Sequence, residues 1–104
     1  MSADRGLLSL GEAERLAGIM QGLASPVRLR ILSAVRLEPS TVTELCQELD
    51  AGQATVSNHL RLLRHLSLVK GRRRGRHVYY SLFDDHVSDL LEEAIRHLGH
   101  VPHA

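Results

Sequence analysis

Apolar residues recur at intervals of three and four along most of the chain, which is the spacing of one face of an α-helix. The pattern predicts five helices, at about residues 12–23, 26 to just before Pro39, 42–49, 53–65 and 85–98. The last helix has the longest apolar stripe: Val87, Leu90, Leu91, Ala94 and Leu98. Each helix is amphipathic, so the pattern indicates a helical domain folded around one core.

Local signals mark where several of these helices begin and end. Ser25 is a preferred N-cap residue, and Pro26 fits the first helical position. Thr41 and Glu44 have the spacing of a capping box at the start of the third helix. A tight break at residues 50–52, Asp-Ala-Gly, then separates the third helix from the fourth. Two short helices joined in this way predict a helix-turn-helix.

After the fourth helix the periodicity changes from helical to alternating. Residues 68–70 are a short strand-like run, and alternate residues of 77–82 are apolar. Residues 73–76, Arg-Arg-Gly-Arg, supply the turn between them. A basic-tipped hairpin directly after a helix-turn-helix is a winged-helix arrangement. We therefore predict a mainly α fold with a small β-hairpin. Residues 1–104 are predicted to form a single winged helix-turn-helix domain, with a flexible N-terminus at residues 1–11.

Charge is separated along the chain far more than the net charge of +1 indicates. Between Gln53 and Phe83 there is no Asp or Glu, and all 12 acidic residues lie outside this stretch. The cationic residues inside it are Arg61, Arg64, Lys70, Arg72, Arg73, Arg74 and Arg76. A basic surface of this kind is the electrostatic footprint of a nucleic-acid-binding protein, although a solvated basic loop has the same composition.

The polar residues at the start of the fourth helix predict how it contacts DNA. Their side chains are predicted to be exposed, and they are short or planar hydrogen-bonding groups that can pair with base edges or phosphates: Gln53, Thr55, Ser57, Asn58 and His59. The start of a recognition helix is where such contacts are made. Five arginines can reach phosphate or an adjacent groove: Arg61, Arg64, Arg73, Arg74 and Arg76. The alternatives are an ordinary polar helix face, or plain capping roles for Gln53, Thr55 and Asn58.

Four segments of the chain carry a family resemblance. They are Leu-Ala-Ser-Pro-Val-Arg-Leu-Arg-Ile-Leu (23–32), Glu-Leu-Cys (44–46), Thr-Val-Ser-Asn-His-Leu-Arg-Leu-Leu (55–63) and Gly-Arg-His-Val-Tyr-Tyr-Ser-Leu (75–82). Over about residues 12–100 the sequence resembles the ArsR/SmtB family of metal-sensing winged-helix repressors. The resemblance implies a symmetric homodimer, formed through the N- and C-terminal helices, that binds double-stranded operator DNA as the apo-protein and is released by its inducer. It does not identify the metal, since family members sense different ions and some sense none.

Histidines are concentrated at the C-terminal end of the chain. Four of the seven lie after residue 85, namely His86, His97, His100 and His103, and Asp84 precedes the first of them. Imidazole and carboxylate groups are ligands for zinc and its first-row neighbours. His86 and His97 share one helix face but are about 16 Å apart along the helix, so one ion cannot bridge them within a chain. Two copies of the helix packed antiparallel about a twofold axis would form two identical metal sites. The alternative to metal binding is a surface helix with a His-rich tail.

The resemblance implies a ligand set for this site. The pattern Asp-x-His, ten residues, His-x-x-His matches the terminal-helix metal site of the family, with the residues Asp84, His86, His97 and His100. The first two would come from one subunit and the last two from the other. Three imidazoles and one carboxylate fill a tetrahedral site, which favours zinc, and cobalt by similarity. Nickel prefers more ligands and would need a further group.

Both ends of this ligand set carry an alternative. Gly99 interrupts the turn before His100 and costs about 1 kcal/mol of helix propensity. His103 could therefore replace His100 or join it. At the other end, Asp85 could compete with Asp84 for the metal.

The cysteine content, the lengths of the apolar runs and the N-terminal sequence exclude several classes of protein. Cys46 is the single cysteine, so a thiolate-rich metal site is not expected and Cys46 is predicted to lie in the core. The absence of a disulfide, of a membrane-length apolar run and of a secretory signal in residues 1–11 indicates a cytoplasmic protein with no membrane partner. No nucleophile–base pairing points to an enzyme. The predicted function is a metal-responsive repressor, and the alternative is a metal-independent winged-helix regulator controlled by redox or by a partner.

Overall fold

A computed structural model describes residues 6–102 and contains, in that range, five α-helices, one β-hairpin and a short 3₁₀ turn. The elements are α1 (Leu10–Leu23), α2 (Pro26–Leu37), α3 (Val42–Leu49), α4 (Gln53–His65), β1 (Val69–Arg74), β2 (His77–Leu82), α5 (Asp85–His97) and the 3₁₀ turn Leu98–His100. This order confirms the predicted mainly α, winged helix-turn-helix fold.

Helix α1 begins earlier than the apolar pattern predicts. The Glu12 N–H donates to the Ser9 hydroxyl at 3.1 Å, and the Ser9 N–H donates to the Glu12 carboxylate at 2.9 Å, which completes a capping box. Leu10 is exposed, so it does not extend the apolar stripe. Of the segment 1–11 that we expected to be flexible, the last three residues belong to this helix start. Residues 1–5 lie outside the described residues.

Helices α3 and α4 form the predicted helix-turn-helix. Thr41 and Glu44 make the expected capping box, with the Glu44 N–H 3.1 Å from Thr41 Oγ1 and the Thr41 N–H 2.8 Å from Glu44 Oε1. Asp50 then adopts the left-handed conformation, with φ of 53°, and closes α3. Asp tolerates this conformation better than most residues. The break predicted at residues 50–52 is therefore confirmed.

The two strands of the wing pair antiparallel along their full length. The turn between them consists only of Gly75 and Arg76, and Gly75 has a φ of 65°, which suits glycine and a two-residue hairpin turn. The structure corrects the prediction for Arg73 and Arg74. Both lie in β1 rather than in the turn, because pairing with β2 continues as far as Arg74 opposite His77.

A further segment joins the hairpin at its edge. Ser40, between α2 and α3, forms an isolated β-bridge with Tyr80, through backbone hydrogen bonds of 3.0 and 2.8 Å. Ser40 is buried although it is polar, and its hydroxyl donates to the Glu38 carbonyl at 3.0 Å. This bridge ties the base of the wing to the connection that precedes the helix-turn-helix.

The core lies between α2, α3, α4 and the base of the wing, with α5 packed against it. Its most deeply buried side chains are Ile31, Leu32, Leu45, Val56, Leu60, Leu63 and Val69. Cys46 is half-buried and packs against this core, as predicted. Among residues 6–102, no helix combines the length and the apolar character needed to cross a membrane.

The apolar stripes of the two terminal helices are each divided. In α5, Val87 and Leu91 are buried in the core, whereas Leu90 is 39% exposed, and Leu98 in the 3₁₀ turn that follows is 71% exposed. In α1, Ile19 and Leu23 pack against the core, while two other apolar side chains of the helix, Leu16 and Met20, are exposed. One part of each stripe therefore closes the domain, and the other part faces outward.

Candidate nucleic-acid interface and metal centre

The recognition helix α4 begins without a side-chain cap. Its N-cap residue is Gly52, and no side chain accepts a hydrogen bond from its first turn. The capping roles considered for Gln53, Thr55 and Asn58 are therefore excluded. The first turn contains no acidic residue, and the N–H groups of a helix start carry partial positive charge. This end of α4 is suited to an anionic partner.

The five polar residues predicted to face DNA do not share one environment. Three of them are exposed: Gln53, Thr55 and Asn58. The prediction of exposure is wrong for Ser57 and His59, which are half-buried. Ser57 borders a groove beside the wing, and His59 faces Arg28 of α2. Each lies beside a residue that is distant in sequence, Tyr80 for Ser57 and Arg28 for His59, which the helical pattern of α4 cannot reveal.

A polar groove of about 260 Å³ lies between α4 and the base of the wing. Its lining residues are Ser57, Leu60, Arg61, Arg64 and Tyr80. The Arg61 guanidinium also donates to Asn58 Oδ1 at 3.4 Å. This hydrogen bond holds the Arg61 side chain along the exposed face of the helix. Two guanidinium groups and a hydroxyl around one groove can bind a phosphate oxygen by charge-assisted hydrogen bonds. The structure thus brings Arg61 and Arg64 together with Ser57.

Strand alternation divides the basic residues of the wing between two faces. Arg73 lies on the face of the hairpin whose base is buried in the core. The other face carries Lys70, Arg72 and Arg74, and the Arg74 guanidinium lies over the Tyr79 ring, 5.6 Å from its centroid. The sequence-based selection of wing residues left out Lys70 and Arg72. A predicted β1 that reached Arg74 would have included Lys70 and Arg72. The period of two along a strand places both on the same face as Arg74.

The first predicted metal-ligand pair lies at the start of α5. Asp84 is the N-cap: its Oδ1 accepts a hydrogen bond from the Val87 N–H at 3.1 Å, and its Oδ2 is 3.4 Å from His86 Nδ1. The Val87 N–H, with a smaller contribution from His86, lowers the pKa of the Asp84 carboxyl below its usual value. The His86 side chain is 95% exposed. Asp85, the alternative ligand, is exposed in the first helical turn.

The second pair lies at the other end of the same helix. His97 is the last residue of α5, and His100 ends the 3₁₀ turn that follows. Their ring centroids are 6.5 Å apart, with an angle of 27° between the rings. The interruption expected at Gly99 is therefore seen as a change from α to 3₁₀ geometry, and it leaves the two rings side by side. His103 lies outside the described residues.

The two pairs are not brought together within one chain. Across residues 6–102, no group of three or more His, Cys, Asp or Glu side chains is close enough to hold a metal ion. Ten residues of α5, from 87 to 96, separate the pairs instead. Both terminal helical segments also carry exposed apolar side chains: Leu90, Ile95 and Leu98 at the C-terminal end of the described chain, and Leu16 and Met20 on α1.

Comparisons with known proteins agree with this architecture. A family model described as a helix-turn-helix domain matches residues 23–72. The chain is 47% identical over 89 residues to the HTH-type transcriptional regulator NmtR of Mycobacterium tuberculosis, covering 86% of this chain and 74% of that protein. It is 42% identical over 92 residues to a transcriptional repressor SmtB homolog of Synechocystis sp., covering 88% and 70%. It is also 37% identical over 83 residues to a cadmium resistance transcriptional regulatory protein CadC homolog of Staphylococcus aureus, covering 79% and 69%.

A solved structure extends the likeness to the whole fold. The homodimeric winged helix-turn-helix DNA-binding domain of a Mycobacterium bovis protein superposes with a TM-score of 0.78 at 26% sequence identity, over 97% of this chain and 99% of that one. The match therefore includes the wing and the terminal helices as well as the helix-turn-helix. The curated relatives are transcriptional regulators, which is a non-enzymatic class. The chain belongs to the ArsR/SmtB family of metal-sensing winged-helix transcriptional regulators.

Proposed function

We propose that the chain is a metal-responsive transcriptional repressor that binds operator DNA as an apo homodimer and leaves it when zinc binds at sites shared between the two α5 helices. The observation that carries the proposal is the separation of Asp84 and His86 from His97 and His100 by the length of α5. His86 and His97 are about 16 Å apart along the helix, whereas a zinc–nitrogen bond is about 2 Å. A complete site therefore needs a second chain.

The terminal helices offer the surface on which that second chain packs. Helix α5 and the 3₁₀ turn after it leave Leu90, Ile95 and Leu98 exposed, and α1 leaves Leu16 and Met20 exposed. An antiparallel pair of α5 helices about a twofold axis covers the first three and sets the start of each helix beside the end of the other. Two identical sites result. The homodimeric state of the Mycobacterium bovis domain supports this assembly.

The donor groups fit zinc. Hydrogen bonding keeps the Asp84 carboxylate ionised, and the three imidazoles complete a set of four N and O donors. Zinc bound there would supply strong bonds between the two chains and no open coordination position. Cobalt accepts the same set, and nickel would recruit a further ligand, for which His103 is the candidate. The name of the Staphylococcus aureus relative refers to cadmium, so likeness to relatives does not select the ion.

The surface for operator DNA is formed by α4 and the wing. Gln53, Thr55 and Asn58 are exposed where a recognition helix meets base edges. The groove that holds Arg61 and Arg64 is suited to a phosphate beside that helix. The basic residues of the wing extend this surface toward the neighbouring backbone. In a symmetric dimer the two α4 helices meet successive major grooves.

Residues of this chain link α5 to the DNA-binding surface. Val87 and Leu91 pack into the core whose opposite side is formed by α4, and Glu92 lies 3.8 Å from Arg36 of α2. A change in the angle between the two α5 helices therefore moves the two recognition helices relative to each other. Since the coupling is reciprocal, operator DNA weakens metal binding by the same free energy, typically about 1–3 kcal/mol.

The test uses a heterodimer of His86→Ala and His97→Ala subunits. Each homodimer has both shared sites damaged. In the mixed dimer both changes fall on one site, so the other site is intact. We expect one tetrahedral cobalt spectrum per isolated heterodimer and none from either homodimer. A heterodimer with no intact site would contradict the shared-site assembly, and a wild-type protein whose operator binding ignores zinc, cobalt and nickel would contradict the metal response.

A further inference from the structure

Arg28 lies where the helix dipole does not favour it. It belongs to the first turn of α2, which has no acidic residue, and its N–H is capped by the Ser25 hydroxyl at 3.3 Å. A cation at this end of a helix is destabilising. The last turn of α1, in contrast, has no basic residue of its own. The half-buried side chain of Arg28 is turned back toward that turn.

The Arg28 guanidinium joins two helices that are distant in sequence. Its Nε donates to the Gly22 carbonyl at 2.6 Å and its Nη2 donates to the Gln21 carbonyl at 3.1 Å, at the C-terminal end of α1. Its Nη1 lies 3.5 Å from Nδ1 of His59 on the recognition helix. The Arg28 side chain thus donates hydrogen bonds to two carbonyls of α1 through Nε and Nη2, and contacts α4 through Nη1.

The end of α1 lies close to the segment that follows α4. Gly22 is buried, and a Cβ added there would overlap the Leu66 side chain just after α4 and contact Leu68 at 3.6 Å. The carbonyls that accept from Arg28 therefore belong to a helix end that packs against the chain leaving α4, on the same side as His59.

The contact favours one tautomer of the His59 ring. A guanidinium only donates hydrogen bonds, so a hydrogen bond between these two groups requires Nδ1 as the acceptor and leaves the ring proton on Nε2. His59 lies one turn after the exposed Thr55 and about 100° around the helix from Asn58. It therefore borders the exposed face of α4 at its edge rather than at its centre.

We propose that Arg28 is a positioning residue that holds His59 as an Nε2–H donor to a backbone phosphate of the bound DNA. The proposal rests on the proposed function, because it requires α4 to be the recognition helix. A neutral donor adds affinity without replacing a counterion. Its contribution is therefore insensitive to salt and to base sequence, unlike that of the arginines on α4 and the wing.

The first test measures binding of fluorescent duplexes, one selected from a random library by the wild-type protein and one unselected. We expect His59→Ala and Arg28→Lys each to lose about tenfold affinity on both duplexes, with the salt slope unchanged and the double variant no weaker than His59→Ala. Arg30→Lys, two residues along the same helix, is the matched control and should bind normally. Additive losses, or a slope reduced by about one unit, would overturn the proposal.

The second test reads the tautomer directly and needs no DNA. Nitrogen-15 NMR of the wild-type protein should show His59 as the pure Nε2–H form, and Arg28→Lys should show exchange between both neutral forms. His59→Gln, which keeps a donor near the Nε2 position, should restore affinity in the Arg28→Lys background. A mixed tautomer in the wild-type protein overturns this inference alone. A wild-type protein that selects no duplex overturns it together with the proposed function.

Discussion

The DNA-facing region and helix α5 both present groups for a charged partner, but only the first is complete in one chain. Residues 53–83 contain every cation of the basic surface and no acidic residue. In α5, by contrast, two ligand pairs lie at opposite ends of one helix. Attraction to a polyanion acts over about 10 Å and accumulates charge by charge, whereas metal coordination needs several donor atoms about 2 Å from one ion. Under the proposed function, the second region would report how two chains are arranged, and the first would not.

His97→Ala should produce the largest change and should separate the two regions. It removes one donor from each shared site, so zinc affinity should fall by more than about 100-fold, since even changes outside a ligand set cost about 10–100-fold. Operator affinity of the apo-protein should not change, because α4 and the wing are untouched. Chelator competition and fluorescence anisotropy measure the two quantities. A parallel loss of operator affinity would show that the regions are not independent.

Asn58→Ala should affect DNA alone and in a sequence-dependent way. We expect a loss of about 1–3 kcal/mol on a selected duplex and a smaller loss on random DNA, because Asn58 is exposed on the face of α4 that we propose to meet base edges. Ser57→Ala is the comparison variant. Ser57 borders the phosphate groove, so its loss should be similar on both duplexes. Equal losses for Asn58→Ala would assign it to the backbone as well.

Arg72→Ala and Arg74→Ala should each reduce the salt slope of operator binding by roughly one unit, with a modest loss of affinity. Both residues lie on the wing face that also carries Lys70. Arg96→Ala is the control, since Arg96 is on α5 and pairs with Glu93 at 2.8 Å. An unchanged slope for both wing variants would remove this face of the wing from the DNA contact.

Asp84→Ala and Asp84→Asn should have the smallest effect, on the stability of the apo-protein. Asparagine keeps the N-cap of α5 and alanine does not, so only Asp84→Ala should lower the melting temperature near neutral pH. The folded-state pKa of Asp84 is lowered from 3.8, so its contribution is complete above that value and is lost as pH falls through the folded-state pKa. Asp84→Asn should remove this part of the acid dependence, as thermal melts at several pH values would show.

The helix-turn-helix was predictable because its signals are local. The capping box at Thr41 and Glu44 and the left-handed turn at Asp50 need only neighbouring residues. The extent of β1 was not predictable in the same way. From Lys70 to Arg74 it has no apolar alternation, and its conformation follows from pairing with β2. The one-residue bridge between Ser40 and Tyr80 leaves no periodic pattern at all.

The candidate sites likewise contain some features that the sequence predicts and others that it does not. The spacing of Asp84 and the histidines, and the charge segregation of residues 53–83, are visible in the sequence because they depend on order along the chain. The half-burial of His59 depends on Arg28, which lies in another helix. No pattern within α4 distinguishes His59 from the exposed Asn58 beside it. Residues whose role depends on contacts between distant segments therefore emerged only from the structure.

If the exposed part of the α5 stripe is covered by a second chain, as proposed, the amount of protein becomes part of the regulatory equilibrium. Leu98 is 71% exposed in the isolated chain, and association would cover it. Folding coupled to association is favoured by mass action, so dilution should lower the melting temperature. A cell that holds few copies would then keep a larger share as separate chains, which are more open to proteolysis. An ion that joins two chains would prolong the lifetime of the protein at the same time as it ends repression.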